Sequence, residues 1–200
     1  MLSRPLILVH GLWNTPNVFS RLESCLRQPP SMVFAPLLPH GCGRKDIRSL
    51  AKNLGEQIGA RFGSTSPIDL LGFSMGGLIS RVWLQEMMGY QRTIRFFSIG
   101  SPHQGTFTAQ LVPDHLFAGI AEMKHGSDFL KSLNVYSNYL QEIECRRYFT
   151  QWDLMVSPGY RSILPFGYNI PIPVLTHKGL IKNSKAINLI ASDILGRSMD

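Results

Sequence analysis

Three cysteines in 200 residues, Cys25, Cys42 and Cys145, are few and scattered. They form neither a metal-ligand spacing nor a disulfide framework, which fits a reducing, cytoplasmic setting. Long apolar runs are also missing. None approaches the roughly 20 residues needed to cross a bilayer. The opening stretch, Met1 to His10, has a basic residue and a short apolar run but no small-residue cleavage site. A first core strand is therefore expected there rather than a signal peptide. There is no internal repeat, low-complexity tract or linker, so residues 1–200 are expected to form one domain, of a length that supports a sizeable core. Acidic residues are outnumbered, 13 against 20 basic ones, giving a net charge of +7. That excess allows contact with anionic membrane surfaces or substrates. A merely basic surface is the plainer reading. No basic patch interleaved with aromatics suggests nucleic acid, and a monomer is expected.

What is present centres on one turn. Ile68-Asp69-Leu70-Leu71-Gly72-Phe73 is an apolar, strand-like run, and a helix-like run begins after Gly76. Ser74 lies between them in the pattern Gly-x-Ser-x-Gly. A sharp strand-to-helix turn holds such a serine in strained geometry with its hydroxyl at the apex. Small residues two positions either side let strand and helix approach. The following helix aims its free N–H groups at the same place. Ser74 is thus the candidate nucleophile, and the Met75 N–H a candidate oxyanion donor.

Around this turn the pattern alternates. Leu6 to Val9 reads as a strand buried on both faces. Thr15-Pro16 reads as a helix start, with a helix through Phe19, Leu22 and Leu26. Met32 to Pro36 reads as a second strand. Arg44 to Phe62 is helical, with Ile47, Leu50, Ala51, Leu54 and Ile58 on one face. Ile94 to Ile99 reads as a strand. Strands alternating with helices imply parallel β-α-β units, about six strands in all. Residues from about 104 to 146 break the rhythm and read as a small helical insert. Its apolar residues fit either a cap lining an acyl pocket or ordinary core contacts. Tyr148 to Trp152 reads as a strand ending at Asp153. Residues 157–173 read as a Pro/Gly-rich loop bordering the same cleft, Val174 to Thr176 as a last strand, and Leu180 onward as the last helix.

A serine hydroxyl needs a base, usually a histidine oriented by a carboxylate. With a nucleophile on this kind of turn, the chain order is serine, acid, histidine. His10 and His40 precede Ser74, His103 follows too soon, and His115 and His125 lie in the insert. His177 follows a late strand, where ligand-facing residues of a parallel sheet lie. Of the acids between, Asp114, Glu122, Glu142 and Glu144 fall in the insert. Asp153 at a strand end is preferred, with Asp128 in reserve.

These motifs together resemble the α/β-hydrolase superfamily, and within it small bacterial lipases and esterases, over nearly the whole chain. Val9-His10-Gly11-Leu12-Trp13 is similar to the family's His-Gly oxyanion loop. That implies a donor role for the Leu12 N–H. Gly72-Phe73-Ser74-Met75-Gly76-Gly77 matches the elbow, with Phe73 where many relatives carry histidine. Ser101-Pro102-His103-Gln104-Gly105-Thr106 and Gly126-Ser127-Asp128-Phe129-Leu130 look like lipase segments, and the second weakens Asp128 as the acid. Asp153 and His177 match the family's acid and histidine positions. The resemblance implies hydrolysis of carboxylic or lipid esters through an acyl-enzyme, with no metal or organic cofactor. Substrate contacts are expected from Trp13, Phe73, His103 and Phe166. A thioesterase, an acyltransferase and a non-catalytic lipid- or partner-binding protein of the same fold stay open.

Overall fold

A computed structural model of the protein describes residues 1–113 and 116–196. Asp114 and His115, placed by the sequence in the insert, lie outside the described residues. Six strands form one sheet: β1 (Leu6–Val9), β2 (Val33–Phe34), β3 (Ile68–Phe73), β4 (Thr93–Ile99), β5 (Glu144–Phe149) and β6 (Tyr168–Pro171). Their order across the sheet is β2-β1-β3-β4-β5-β6, and every pairing is parallel. The helices are α1 (Ser20–Leu26), α2 (Ile47–Phe62), α3 (Met75–Glu86), α4 (Ala118–Glu122), α5 (Asp128–Val135), α6 (Gly179–Lys182) and α7 (Ser184–Ile194). This is the α/β-hydrolase architecture.

The period of two along each strand divides the apolar residues between two cores. Ile7, Val9, Leu70 and Phe96 face a layer built by α2, α3 and the insert. Leu6, Leu8, Leu71, Phe97 and Tyr148 face the layer of α1, α6 and α7. With both faces covered, the central strands are apolar over most of their length, β1 wholly so. Asp69 is the exception inside β3. It is fully buried and takes two hydrogen bonds from Arg95, at 2.5 and 3.0 Å. A buried carboxylate needs such a partner.

Several boundaries differ from the sequence reading. The helix expected from Arg44 begins at Ile47, because the Asp46 side chain caps it by accepting the Ser49 N–H at 2.8 Å. The strand expected over Tyr148–Trp152 runs over Glu144–Phe149 instead, so the insert ends earlier than residue 146 and Asp153 lies in the loop beyond the strand. Val174–Thr176 is not a strand; the last one is Tyr168–Pro171, inside the stretch read as a loop. It occupies the sheet edge, where a terminal proline breaks no ladder. The insert consists of α4, α5 and flanking 3₁₀ turns. Phe129, Leu130 and Leu133 of α5 are buried in the core beneath α3. No helix among the described residues is long and apolar enough to cross a membrane.

Candidate active site

Ser74 follows β3 directly and precedes α3, with φ 55° and ψ −128°. An L-residue adopts that conformation only under strain, worth about 1–3 kcal/mol. The turn is held from two sides. The Ser74 N–H donates to Ile99 O at 2.8 Å, tying the elbow to β4. The first turn of α3 lies against the end of β1, where a Cβ on Gly76 would sit 2.0 Å from Val9 O. Only glycine fits that approach.

The loop after β1 lies against the elbow. A Cβ on Gly11 would meet Phe73 O and Ser74 Cβ at 2.8 Å and Met75 N at 3.3 Å. His10 fixes the loop. Its buried ring accepts the Leu38 N–H on Nε2 at 3.0 Å, so the proton sits on Nδ1, which donates to Gly11 O at 3.1 Å. Burial lowers the His10 pKa, which favours this neutral form. Gly11 O also accepts the Asn14 N–H. Because the Gly11–Leu12 peptide is planar and trans, its Leu12 N–H points the opposite way. Neither the Leu12 N–H nor the Met75 N–H has an acceptor among the described residues. Trp13 follows, half exposed at φ 58°.

Asp153 and His177 come from the other side of the sheet centre. Asp153 is 2% exposed, and its Oδ2 accepts from His177 Nδ1 at 2.7 Å. Its Oδ1 accepts the Met155 and Val156 N–H groups, both at 2.9 Å. The His177 ring stacks on Phe73, centroids 5.0 Å apart and planes inclined by 27°. A Cβ on Gly100 would lie 3.1 Å from ring atoms of His177, so the end of β4 must be bare there. Ser74, Leu12, Trp13, Phe73 and His177 all line one cleft of about 300 Å³. Its remaining wall is largely apolar, with Ala109, Val112, Ile120 and Met123 from the insert, and Val18, Met155 and Ile181 opposite. The insert therefore serves two purposes: α5 is core, whereas the stretch before it supplies cleft wall.

Two expected substrate contacts lie elsewhere. His103 is fully buried behind β4, where its Nε2 pairs with Ser98 Oγ at 2.9 Å. Burial and the nearby Arg81 and Arg147 hold its pKa well below 6.5. The chain turns back after β4, the His103 N–H bonding Ser101 O, and this carries the ring beneath the sheet end rather than into the cleft. Phe166 lines a separate cavity with Gln104, Asn134 and Leu164, and covers the buried Arg147 guanidinium at 5.3 Å. Residues 157–173 contribute nothing to the cleft wall described above. Asp128, the reserve acid, is exposed on α5 and pairs with Lys131. No cluster of His, Cys, Asp and Glu among the described residues could hold a metal ion.

Sequence reasoning singled out the loop after β1 but not the part His10 plays in holding it. A histidine directly after an all-apolar buried strand was the available signal. It left the insert's apolar residues open between cleft wall and core, and of these Ile120 and Met123 line the cleft; it did not single out Val18 and Ile181 as lining.

Comparison with known proteins places this arrangement. The chain is similar in structure to lipase B of Aspergillus fumigatus, with TM-score 0.79 and 18% identity over 96% of this chain and 52% of that one. It spans about half the length of that lipase. The mature lipase BlEst2 of Bacillus licheniformis aligns with TM-score 0.71 and 18% identity, over 96% of this chain and 91% of that one. An extracellular α/β-hydrolase from a Paenibacillus species aligns with TM-score 0.67 and 15% identity, over 98% and 100%. No curated protein matches the sequence. The sequence model of one family matches residues 5–157, a stretch that contains the β1 loop, the elbow and Asp153 but stops before His177. With most of its length inside that match and the fold of the lipases around it, the chain belongs to the palmitoyl protein thioesterase family.

Proposed function

We propose that the protein hydrolyses acyl esters by a Ser74-His177-Asp153 triad through an acyl-enzyme. The observation that carries this reading is the 2.7 Å contact between Asp153 and His177, on a histidine that shares its cleft with the strained Ser74. Asp153 keeps the proton on Nδ1, which leaves Nε2 free to accept the serine proton. The Ser74 oxygen then attacks the acyl carbonyl. The Leu12 and Met75 N–H groups, both without acceptors, take the negative charge that develops on the carbonyl oxygen. His177 passes its new proton to the departing alcohol. Water, deprotonated by His177, attacks the acyl-enzyme and releases the acid. The apolar wall between Ala109 and Met123 suits a medium or long acyl chain.

A thioester is the second reading, and the family match favours it. The chemistry differs at one step. A thiol of pKa near 8.5 leaves as thiolate with little help, whereas an alkoxide must be protonated. Hydrolysis of p-nitrophenyl esters of increasing chain length, beside the matching acyl thioesters, separates these. Activity on either that disappears in Ser74→Ala, with loss of labelling by a fluorophosphonate probe, is the expected result. A folded wild type that neither labels nor turns over any of them would make this a binding protein. Equal turnover of acetate and longer esters would remove the acyl-pocket assignment.

A further inference from the structure

The cleft wall is free of lysine, arginine and described carboxylates except at one place. There the charged side chains Lys178 and Lys182 line it, next to His177. They stand at the two ends of α6, four residues apart, and both are exposed. Among the described residues neither forms a salt bridge and no carboxylate lines the cleft. Outside the cleft lining, the Arg21 guanidinium donates to Lys182 O at 2.6 Å, and among the described residues it has no carboxylate partner. Two lysines from one short helix thus border an opening that is otherwise lined by uncharged residues and His177.

That side is chemically defined. In acyl transfer the histidine must reach the oxygen or sulfur of the departing fragment in order to protonate it. The departing fragment therefore lies along the wall that carries His177, and Lys178 is the next residue. The acyl chain runs along the insert wall, where Ala109, Val112, Ile120 and Met123 carry no charge. We propose that Lys178 and Lys182 bind a phosphate carried on the leaving fragment of the substrate, so that the preferred ester joins an acyl chain to a phosphorylated alcohol or thiol. The direction of the leaving fragment rests on the triad reading above; the anion site itself does not.

The test uses ligands that cannot be hydrolysed. Binding of 1-O-octylglycerol-3-phosphate and of 1-O-octylglycerol, both ethers and both kept monomeric, is measured by calorimetry on the wild type and on Lys178→Gln/Lys182→Gln. The phosphate ether is expected to bind about tenfold more tightly, from two partly solvated ion pairs. The preference should disappear in the double glutamine variant, survive in Lys178→Arg/Lys182→Arg, and shrink in high salt. Equal affinity for the two ethers, no binding of the phosphate ether, or a preference indifferent to both lysines overturns the proposal. Displacement by inorganic phosphate as effective as by the octyl compound also overturns it, leaving a free-anion site. If no ester is turned over while the phosphate preference persists, the hydrolase reading fails and the anion site stands.

Discussion

Asp153 gives His177 only one of its two carboxylate oxygens. The other is committed to the Met155 and Val156 N–H groups of its own loop. The carboxylate is thereby oriented before the histidine arrives, and the two sites on it are not interchangeable.

Asp153→Asn follows from that asymmetry. The amide oxygen is expected to take the two backbone N–H groups, which turns the amide NH₂ toward His177 Nδ1. Nδ1 must then accept, the proton moves to Nε2, and the base can no longer receive the serine proton. kcat should fall by about 10⁴ with fold and KM little changed. Stopped-flow measurement of the acylation step, with circular dichroism as control, checks this. A loss of less than tenfold would show that Asp153 does not set the tautomer.

His10→Ala removes the clamp on the Gly11–Leu12 peptide and strands the buried Leu38 N–H. An unsatisfied buried donor costs about 1–3 kcal/mol. Loss of a whole oxyanion donor costs about 100- to 1,000-fold in rate, so a loosened one should cost about 10- to 100-fold in kcat. Thermal denaturation and kinetics on one preparation give both numbers. A stability loss with unchanged kcat would make His10 purely structural.

Two glycine substitutions should act in opposite directions. Gly76→Ala puts a Cβ 2.0 Å from Val9 O, a backbone atom that cannot step aside. The cost should reach or exceed the ~3 kcal/mol upper range for overpacking, and the elbow should lose activity. Gly59→Ala lies within α2, where nothing stands within 4 Å of the new Cβ. It should stabilise by about 0.5–1 kcal/mol through helix propensity and leave kinetics alone. Urea unfolding of the pair is the measurement.

His10 and His103 make stability depend on pH. Both pKa values are lowered from 6.5 in the folded protein, chiefly by burial. As pH falls past 6.5 the unfolded chain takes up these protons while the folded one does not. The unfolded state then binds more protons, so stability declines with falling pH until each folded pKa is reached. Each residue adds a slope of at most about 1.4 kcal/mol per pH unit. By about pH 8 neither contributes an appreciable slope. Urea titrations between pH 5 and 8 should show a shallower decline in His103→Gln than in the wild type.

The sequence made the centre of the molecule readable and its far edge obscure. β1, β3 and β4 are short apolar runs because both faces are covered, and α2 carries its core face at helical spacing. The elbow announces itself through glycines that answer to single close contacts. β5 was misplaced because Arg146 and Arg147 interrupt it. Arg146 reaches out to Glu144 and Asp193, and Arg147 is buried under Phe166 with its Nε on Asn169. Apart from Glu144, two residues away, those partners are distant in sequence, so little that is local marks the arginines as strand residues. β6 hid among prolines and glycines that an edge strand tolerates. His103 and Phe166 lie outside the cleft that holds Ser74 because both sit in connecting segments, whose direction depends on tertiary contacts.

The sheet grows outward in chain order from β3 to β6, and this sets a timetable for a chain emerging from the ribosome. The strained serine and both acceptor-free N–H groups belong to the first 75 residues or so. Asp153 and His177 follow about 80 and 100 residues later, and His177 stands between the edge strand β6 and the helices α6 and α7 that pack back on α1. A growing chain therefore carries Ser74 for about 100 residues before His177 is made. On the proposed mechanism the serine stays inert toward esters until β6, α6 and α7 have docked, so chemical competence itself reports that this edge of the sheet is in place.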